Sequence, residues 1–166
     1  MTITLRALEP EDADLMYRAE NELTATLQSD SPAPYSRRML VEYAMTYDAD
    51  PFRSGQLRLI AVDQENTPVG ILDYYDISAR DSHAWVSCLV LPEYRGQNIG
   101  KEMIAAGVGY AVNRLGLTSL AAIVHTDNIP SLRVFGYAGF QKIGILEKWH
   151  FSNGTLRDVA LLQYHI

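Results

Sequence analysis

The sequence predicts a single α/β domain on three observations. Its middle carries consecutive strand-period runs, a glycine-bearing turn leads from the last of them into a long amphipathic helix, and the chain ends on a strand–turn–strand pattern. A chain of 166 residues with 48% hydrophobic content can bury one sizeable core, and is too short for two comfortable ones. The start Met1-Thr2-Ile3-Thr4 lacks the basic-then-apolar order of a secretory leader, and no run approaches the roughly 20 apolar residues that span a bilayer. The expectation is a cytoplasmic protein with no membrane partner. The formal charge of −6 argues against nucleic acid and suits a cationic substrate. The single cysteine, Cys88, excludes an internal disulfide and, inside an apolar strand run, reads as a structural thiol.

Taken in order, residues 3–6 alternate like a half-buried strand, and Glu9-Pro10-Glu11-Asp12 puts acids and a proline where a helix over 13–22 should begin. A second helix is expected over 36–47. Two prolines and small polar residues make 24–34 a loop within the domain. Residues 57–62 and 69–77, around a turn at 64–68, form a hairpin, and 83–91 extends it into an antiparallel meander. Within that third strand Val86, Cys88 and Val90 face one way and Trp85, Ser87 and Leu89 the other. A helix to residue 115, a strand over 119–124, a short helix after Asn128 and a closing hairpin (141–151, an Asn153-Gly154 turn, 155–164) complete the chain.

The chemistry concentrates in Arg95-Gly96-Gln97-Asn98-Ile99-Gly100-Lys101. Met103, Ile104, Val108, Ala111, Val112 and Leu115 recur at helical spacing from Ile99, so the turn opens a helix. Gly96 and Gly100 let backbone N–H groups converge on one anion, the helix dipole adds positive potential, and Arg95 and Lys101 bring full charges. The expected guest is a pyrophosphate. A Walker loop does not fit, because three residues separate the glycines and Glu102 follows Lys101; the dinucleotide fingerprint fails too.

The run resembles the acetyl-coenzyme A signature of the GNAT superfamily of N-acetyltransferases, Arg/Gln-x-x-Gly-x-Gly/Ala. Asn98 stands at the first signature glycine, and Asn enters left-handed conformations more readily than most other non-glycine residues. A second stretch, from Asn128 through Ser131 and Phe135 to Gly139-Phe140, resembles the family's Asn-x-x-(Ala/Ser)-x-x-x-Tyr-x-x-x-Gly-Phe element. The ending around Phe151, Asn153-Gly154 and Arg157-Asp158 is similar to the polyamine and ribosomal-protein branch. The resemblance implies a GNAT fold: a mixed, mostly antiparallel twisted sheet flanked by helices. It implies acetyl-CoA as cosubstrate, held by Arg95, Gly96, Gln97, Asn98, Ile99, Gly100, Lys101 and Asn128, with backbone groups of Cys88, Leu89 and Val90 binding the pantetheine arm and polarising the acetyl oxygen. No metal is required.

The implied reaction moves an acetyl group to a primary amine, a polyamine or diamine first and a protein N-terminus second. An ammonium must lose a proton before it attacks. Trp85 occupies the strand position where many relatives hold an acid, so Asp73 on the neighbouring strand is the candidate base or amine anchor, with Asp76 nearby and His83 and His125 as weaker candidates. Glu20, Glu22 and Asp30 are candidates to attract a cationic acceptor. Phe135 stands at the family's tyrosine and cannot protonate a leaving thiolate, and Tyr137 lies about 200° around the helix from it. Trp85 and Phe135, at positions where relatives hold catalytic groups, keep a non-catalytic acyl-CoA binding or sensing module as the alternative. A homo-oligomer is compatible with the sequence.

Overall fold

Alternation along the strands decides which helix covers which face of the sheet. The computed structural model describes residues 2–21, 33–152 and 154–166. Among them, β1 (Thr4–Ala7), β2 (Leu57–Val62), β3 (Pro68–Ser78), β4 (His83–Val90), β5 (Ser119–His125), β6 (Gln141–Ser152) and β7 (Thr155–His165) form one sheet in the order β1-β2-β3-β4-β5-β7-β6. Every neighbouring pair is antiparallel except β4–β5, which is parallel. The expected mixed, mostly antiparallel sheet of the α/β domain is thus present.

Five helices flank it among the described residues: α1 (Ala13–Asn21), α2 (Arg37–Met45), α3 (Pro51–Ser54), α4 (Ile99–Leu115) and α5 (Ile129–Tyr137). Leu57, Leu59, Leu72, Tyr74, Ala84 and Val86, with Leu120, Ala122 and Val124 of β5, pack against Ile104 and Ala111 of α4 and Phe135 of α5. The Tyr74 hydroxyl, buried there, donates to the Gly107 carbonyl at 2.6 Å. Ile60, Val62 and Ile71 point the other way, onto Met16 and Ala19 of α1 and Leu40 and Ala44 of α2. One sheet therefore separates two cores. None of the described helices is long and apolar enough to cross a membrane.

The N-terminal strand and helix are tied by charge: Arg6 grips both oxygens of the buried Asp12 at 2.7 and 2.8 Å, within a 3₁₀ turn (Pro10–Asp12) that leads into α1. The short α3 was not expected from the sequence. Its signals are local, since Asp50 accepts from the Phe52 and Arg53 N–H groups, Pro51 opens the turn, and Gly55 closes it at φ +72°. Most of the expected 24–34 loop lies outside the described residues, and so do Glu22 and Asp30.

Gly70 in β3 sets how closely β3, β4 and α4 approach. A Cβ there would lie 2.4 Å from the Leu89 carbonyl oxygen and 2.8 Å from the Met103 methyl. It pairs with Val90 at the end of β4, so the strand that leads to the Arg95 turn is positioned by a missing side chain.

Candidate active site

Beyond Trp85 the sheet comes apart between β4 and β5. Their parallel ladder consists of His83–Ser119, Ala84–Leu120 and Trp85–Ala121, whereas β4 stays paired with β3 as far as Val90. From Val86 onward, one edge of β4 therefore has no strand beside it. Backbone groups alternate in direction along a strand, so part of the Cys88-Leu89-Val90 backbone faces this gap. Peptide-like N–H and C=O groups of a ligand fit such an edge, because its hydrogen-bonding groups are already oriented.

The gap ends at the Arg95 turn. After a 3₁₀ turn at Pro92–Tyr94, Gly96 takes φ +76° and Asn98 takes φ 63°, ψ 8°, the left-handed conformation that the departure from the glycine signature required. Asn98 makes no side-chain cap to α4, and the first N–H groups of a helix have no partner within it. Arg95 donates from Nε to the Val90 carbonyl at 3.0 Å, and Gln97 donates to the Glu93 carbonyl at 3.0 Å. Both side chains therefore brace the turn. Gly100 is where α4 meets its neighbours: a Cβ there would sit 3.3 Å from Val134 and 3.4 Å from Val90. Ile99 is buried below the turn, and the Lys101 ammonium lies 5.1 Å from the centre of the exposed Tyr137 ring. A convergent N–H turn at a helix start, flanked by cations and abutting an open strand edge, fits a pyrophosphate joined to an amide-bearing arm.

Asn128 begins α5 and accepts from the Ser131 N–H at 3.2 Å, capping the helix. Phe135 is 3% exposed and packs edge-on against Phe140 with ring centres 5.0 Å apart. It contributes a core ring and no acid. Tyr137 lies at the Lys101 end.

A cavity of about 420 Å³ opens on the α1–α2 face, lined in part by Tyr35, Tyr43, Arg58, Asp73, Tyr75 and Ser87. Asp73 faces Arg58 on β2 and Ser87 on β4 in register. Both of its oxygens accept from Arg58, at 2.8 Å from Nε and 2.9 Å from Nη2, and Arg58 Nη1 pairs with Glu20 at 2.8 Å. Burial opposes the charge on Arg58, but Asp73 and Glu20 outweigh it, so its pKa is raised. The guanidinium lies 5.7 Å from the Tyr43 ring centre, and burial pushes the Tyr43 hydroxyl up to about 12. Tyr47 adds its hydroxyl as acceptor for the Arg58 backbone N–H. The Tyr35 backbone is fastened by Asn21, which accepts from its N–H and donates to its carbonyl. Trp85 stacks on Tyr75 with ring centres 6.3 Å apart and planes 16° from parallel.

The structure thus brings Asp73 and Glu20 together through Arg58, a partner that the sequence did not single out. Asp76, exposed at φ 48° in an irregularity of β3, lies outside this cluster. His83 opposes Ser78 at the far end of β4, about 20 Å along the strand from Val90. His125, at the end of β5, contacts His150 of β6.

A family profile described as "Acetyltransferase (GNAT) domain" matches residues 2–141. The chain belongs to the GNAT acetyltransferases. It is similar to the "SPbeta prophage-derived uncharacterized N-acetyltransferase YokL" of Bacillus subtilis, 28% identical over 156 residues, covering 94% of this chain and 85% of that protein. It is also similar to the "Uncharacterized N-acetyltransferase YoaA" of the same organism, 31% identical over 90 residues, covering 54% of this chain and 51% of that one. Among solved structures, the spermidine N-acetyltransferase of Vibrio cholerae in complex with CoA and spermine superposes with a TM-score of 0.89 at 22% identity, covering 99% of this chain and 95% of that one. As a GNAT enzyme the chain is an N-acetyltransferase that uses acetyl-CoA.

Cys88 sits on the open stretch of this GNAT strand, and its thiol bears on the route of transfer. Burial, aided by Asp73, pushes the thiol up to about 12. A thiol held that high carries little thiolate near neutral pH, which disfavours an acetyl-cysteine relay. Cys88 in the folded protein should react with a disulfide reagent at pH 8 at least 100-fold more slowly than in urea-unfolded chain. Equal rates would show that the thiol is neither buried nor shifted.

Proposed function

We propose that this enzyme transfers the acetyl group of acetyl-CoA directly to a primary amine held in the cavity beside Asp73, the thioester lying in the gap between β4 and β5. The observation that carries the reading is the combination of three features: the open backbone of Cys88-Leu89-Val90, the cation-flanked N–H turn at 95–101, and an aromatic cavity lined by Asp73, whose partner Arg58 also pairs with Glu20. Acetyl-CoA supplies an activated acyl group when bound, and the chain's residues do the rest. Arg95, Gly96, Gln97, Asn98, Ile99, Gly100 and Lys101 hold the pyrophosphate, with Asn128 on the far wall. Backbone N–H groups of the open strand orient the thioester and stabilise charge developing on its oxygen.

Asp73 is proposed as an anchor for the incoming ammonium. Both of its oxygens are held by Arg58, which fixes the carboxylate at the cavity wall. Glu20, Arg58 and Asp73 together carry one net negative charge, which suits one ammonium group, and Tyr35, Tyr43 and Tyr75 offer aromatic faces to it. A polyamine or diamine is the first acceptor class, supported by the fold shared with the spermidine enzyme. A protein N-terminus, which also presents a single ammonium, is the second. Phe135 supports a further reading, an acyl-CoA binding or sensing module that does not turn over, because it leaves α5 without a proton donor at the family position.

The deciding experiment pairs an acetyl-CoA binding titration with thiol release across spermidine, putrescine, amino-acid amides and short peptides. Binding with turnover on one amine class supports the enzyme and names its acceptor, and binding with no turnover on any amine supports the sensing module. Lys101→Ala and Arg95→Ala should each weaken acetyl-CoA about tenfold, the size of one charge-assisted hydrogen bond. Unchanged affinity in both variants would overturn the pyrophosphate assignment.

A further inference from the structure

Both Asp73 oxygens are taken by Arg58, and a pair of histidines stands on the other wall of the gap. In parallel register Trp85 lies level with Ala121; four residues on, β4 has reached Leu89 and β5 has reached His125. Leu120, Ala122 and Val124 face the α4 core, so by alternation His125 points to the opposite face, the one carrying Asp73, Ser87 and the acceptor cavity. His125 is 7% exposed. Its Nε2 meets Nδ1 of the half-buried His150, with ring centres 4.6 Å apart and planes tilted by 46°. An N···N contact of this kind needs one ring to donate and the other to accept, so the pair holds a shared proton and can take up one more, while two charged rings would repel.

We propose that His125 and His150 together are the proton acceptor for the amine, a proposal that rests on the acetyl-transfer reading above. The bookkeeping closes. An N–H bond of the substrate ammonium breaks and its proton goes to the imidazole pair; the neutral nitrogen forms the N–C bond as the thioester C–S bond breaks. A second proton leaves the same nitrogen with the departing thiolate, and the pair returns its own proton to water through His150. Arg157 stands across from His150 in the β6–β7 register and pairs with Asp127 at 2.7 Å. The Asp158 carboxylate accepts from the Lys148 backbone N–H at 2.8 Å. On the gap side, β4 presents the non-titrating Trp85, Ser87 and Leu89, and Asp73 beyond them is paired with Arg58.

Two readouts test this. The first needs no turnover: ¹⁵N–¹H spectra of the histidine rings should show the two rings titrating together, with one proton taken up per pair between pH 5 and 8. Independent titration of two protons overturns the proposal. The second is kinetic. His125→Gln should lower kcat/KM about 100-fold at pH 7, abolish the acidic limb of the profile, and leave acetyl-CoA affinity unchanged. His150→Gln, at the more exposed ring, should give a smaller loss in the same direction.

The defect should vanish for an acceptor whose amine carries an electron-withdrawing group and is neutral at pH 7. It should also shrink above pH 9, where ordinary amines begin to lose their own proton. A defect that persists with the neutral amine means a structural role and overturns the proposal. Wild-type turnover undisturbed by either variant overturns it while leaving the acetyl-transfer reading intact. A wild type that binds acetyl-CoA and acetylates no amine overturns both.

Discussion

Arg58→Met is expected to cost about 3–5 kcal/mol of stability at pH 7, because it leaves Glu20 and Asp73 facing each other without the cation that now joins them. The aliphatic stem is roughly replaced, so the loss is electrostatic. Like charges in a desolvated site raise carboxylate pKa values in the folded state, and a raised folded pKa makes the protonated form stabilising. The variant's deficit should therefore be largest at neutral pH and shrink as the pH falls through the carboxylate range. Urea unfolding at pH 7 and pH 5 reads this, with Asp73→Asn added to Arg58→Met as a second way of removing the repulsion. An equal deficit at both pH values would mean that Arg58 matters for packing and not for charge. The same experiment touches function, since a site with two uncompensated carboxylates should hold a polyamine more tightly than the wild type does.

Gly70→Val is the second large effect. The new Cβ would have to occupy space 2.4 Å from the Leu89 carbonyl, which is backbone and cannot swing aside, and close to the buried Met103. We expect at least about 3 kcal/mol of destabilisation, and Gly70→Ala should show most of it. Thermal unfolding measures the loss. Because Gly70 pairs with Val90, the displaced strand is the one that rims the gap, so acetyl-CoA affinity should fall as well. A variant as stable as wild type, with unaltered binding, would mean that β3 and β4 can separate without consequence.

The elements and the glycine-bearing turn at 95–101 were legible because their signals are local. Apolar period marked the meander and the long helix, and Asn98 was recognisable as a residue able to take the φ of 63° that it adopts. The Arg58–Asp73 pair was not legible, and the reason is one residue. Near the turn Val62 pairs with Pro68; carried on without interruption, that register would set Arg58 opposite Leu72 and leave Asp73 on the other face. The irregularity between Ala61 and Val62 shifts the count by one, and Arg58 meets Asp73 instead. His150 was hidden for a similar reason. Between the Leu146–Val159 and His150–Arg157 pairs, β6 spends four residues where β7 spends two, with Lys148 at φ 49°. Phe135 shows the opposite limit: its place in the motif was readable, but its burial against Phe140 depends on where β6 begins.

The short ladder between β4 and β5 has a mechanical meaning. A sheet is stiff across its strands because hydrogen bonds run the whole length of each seam, and here one seam is closed over three residue pairs and open beyond them. That short seam divides the sheet into two parts joined at the His83 end, β1 to β4 on one side and β5, β7 and β6 on the other. A ligand that hydrogen-bonds along the open edge lengthens the seam from inside, so that occupancy of the gap and rigidity between the halves become a single property. The wall bearing Asp73 and the wall bearing His125 lie on opposite sides of that seam, and a thioester bound between them, as proposed, would also fix their spacing.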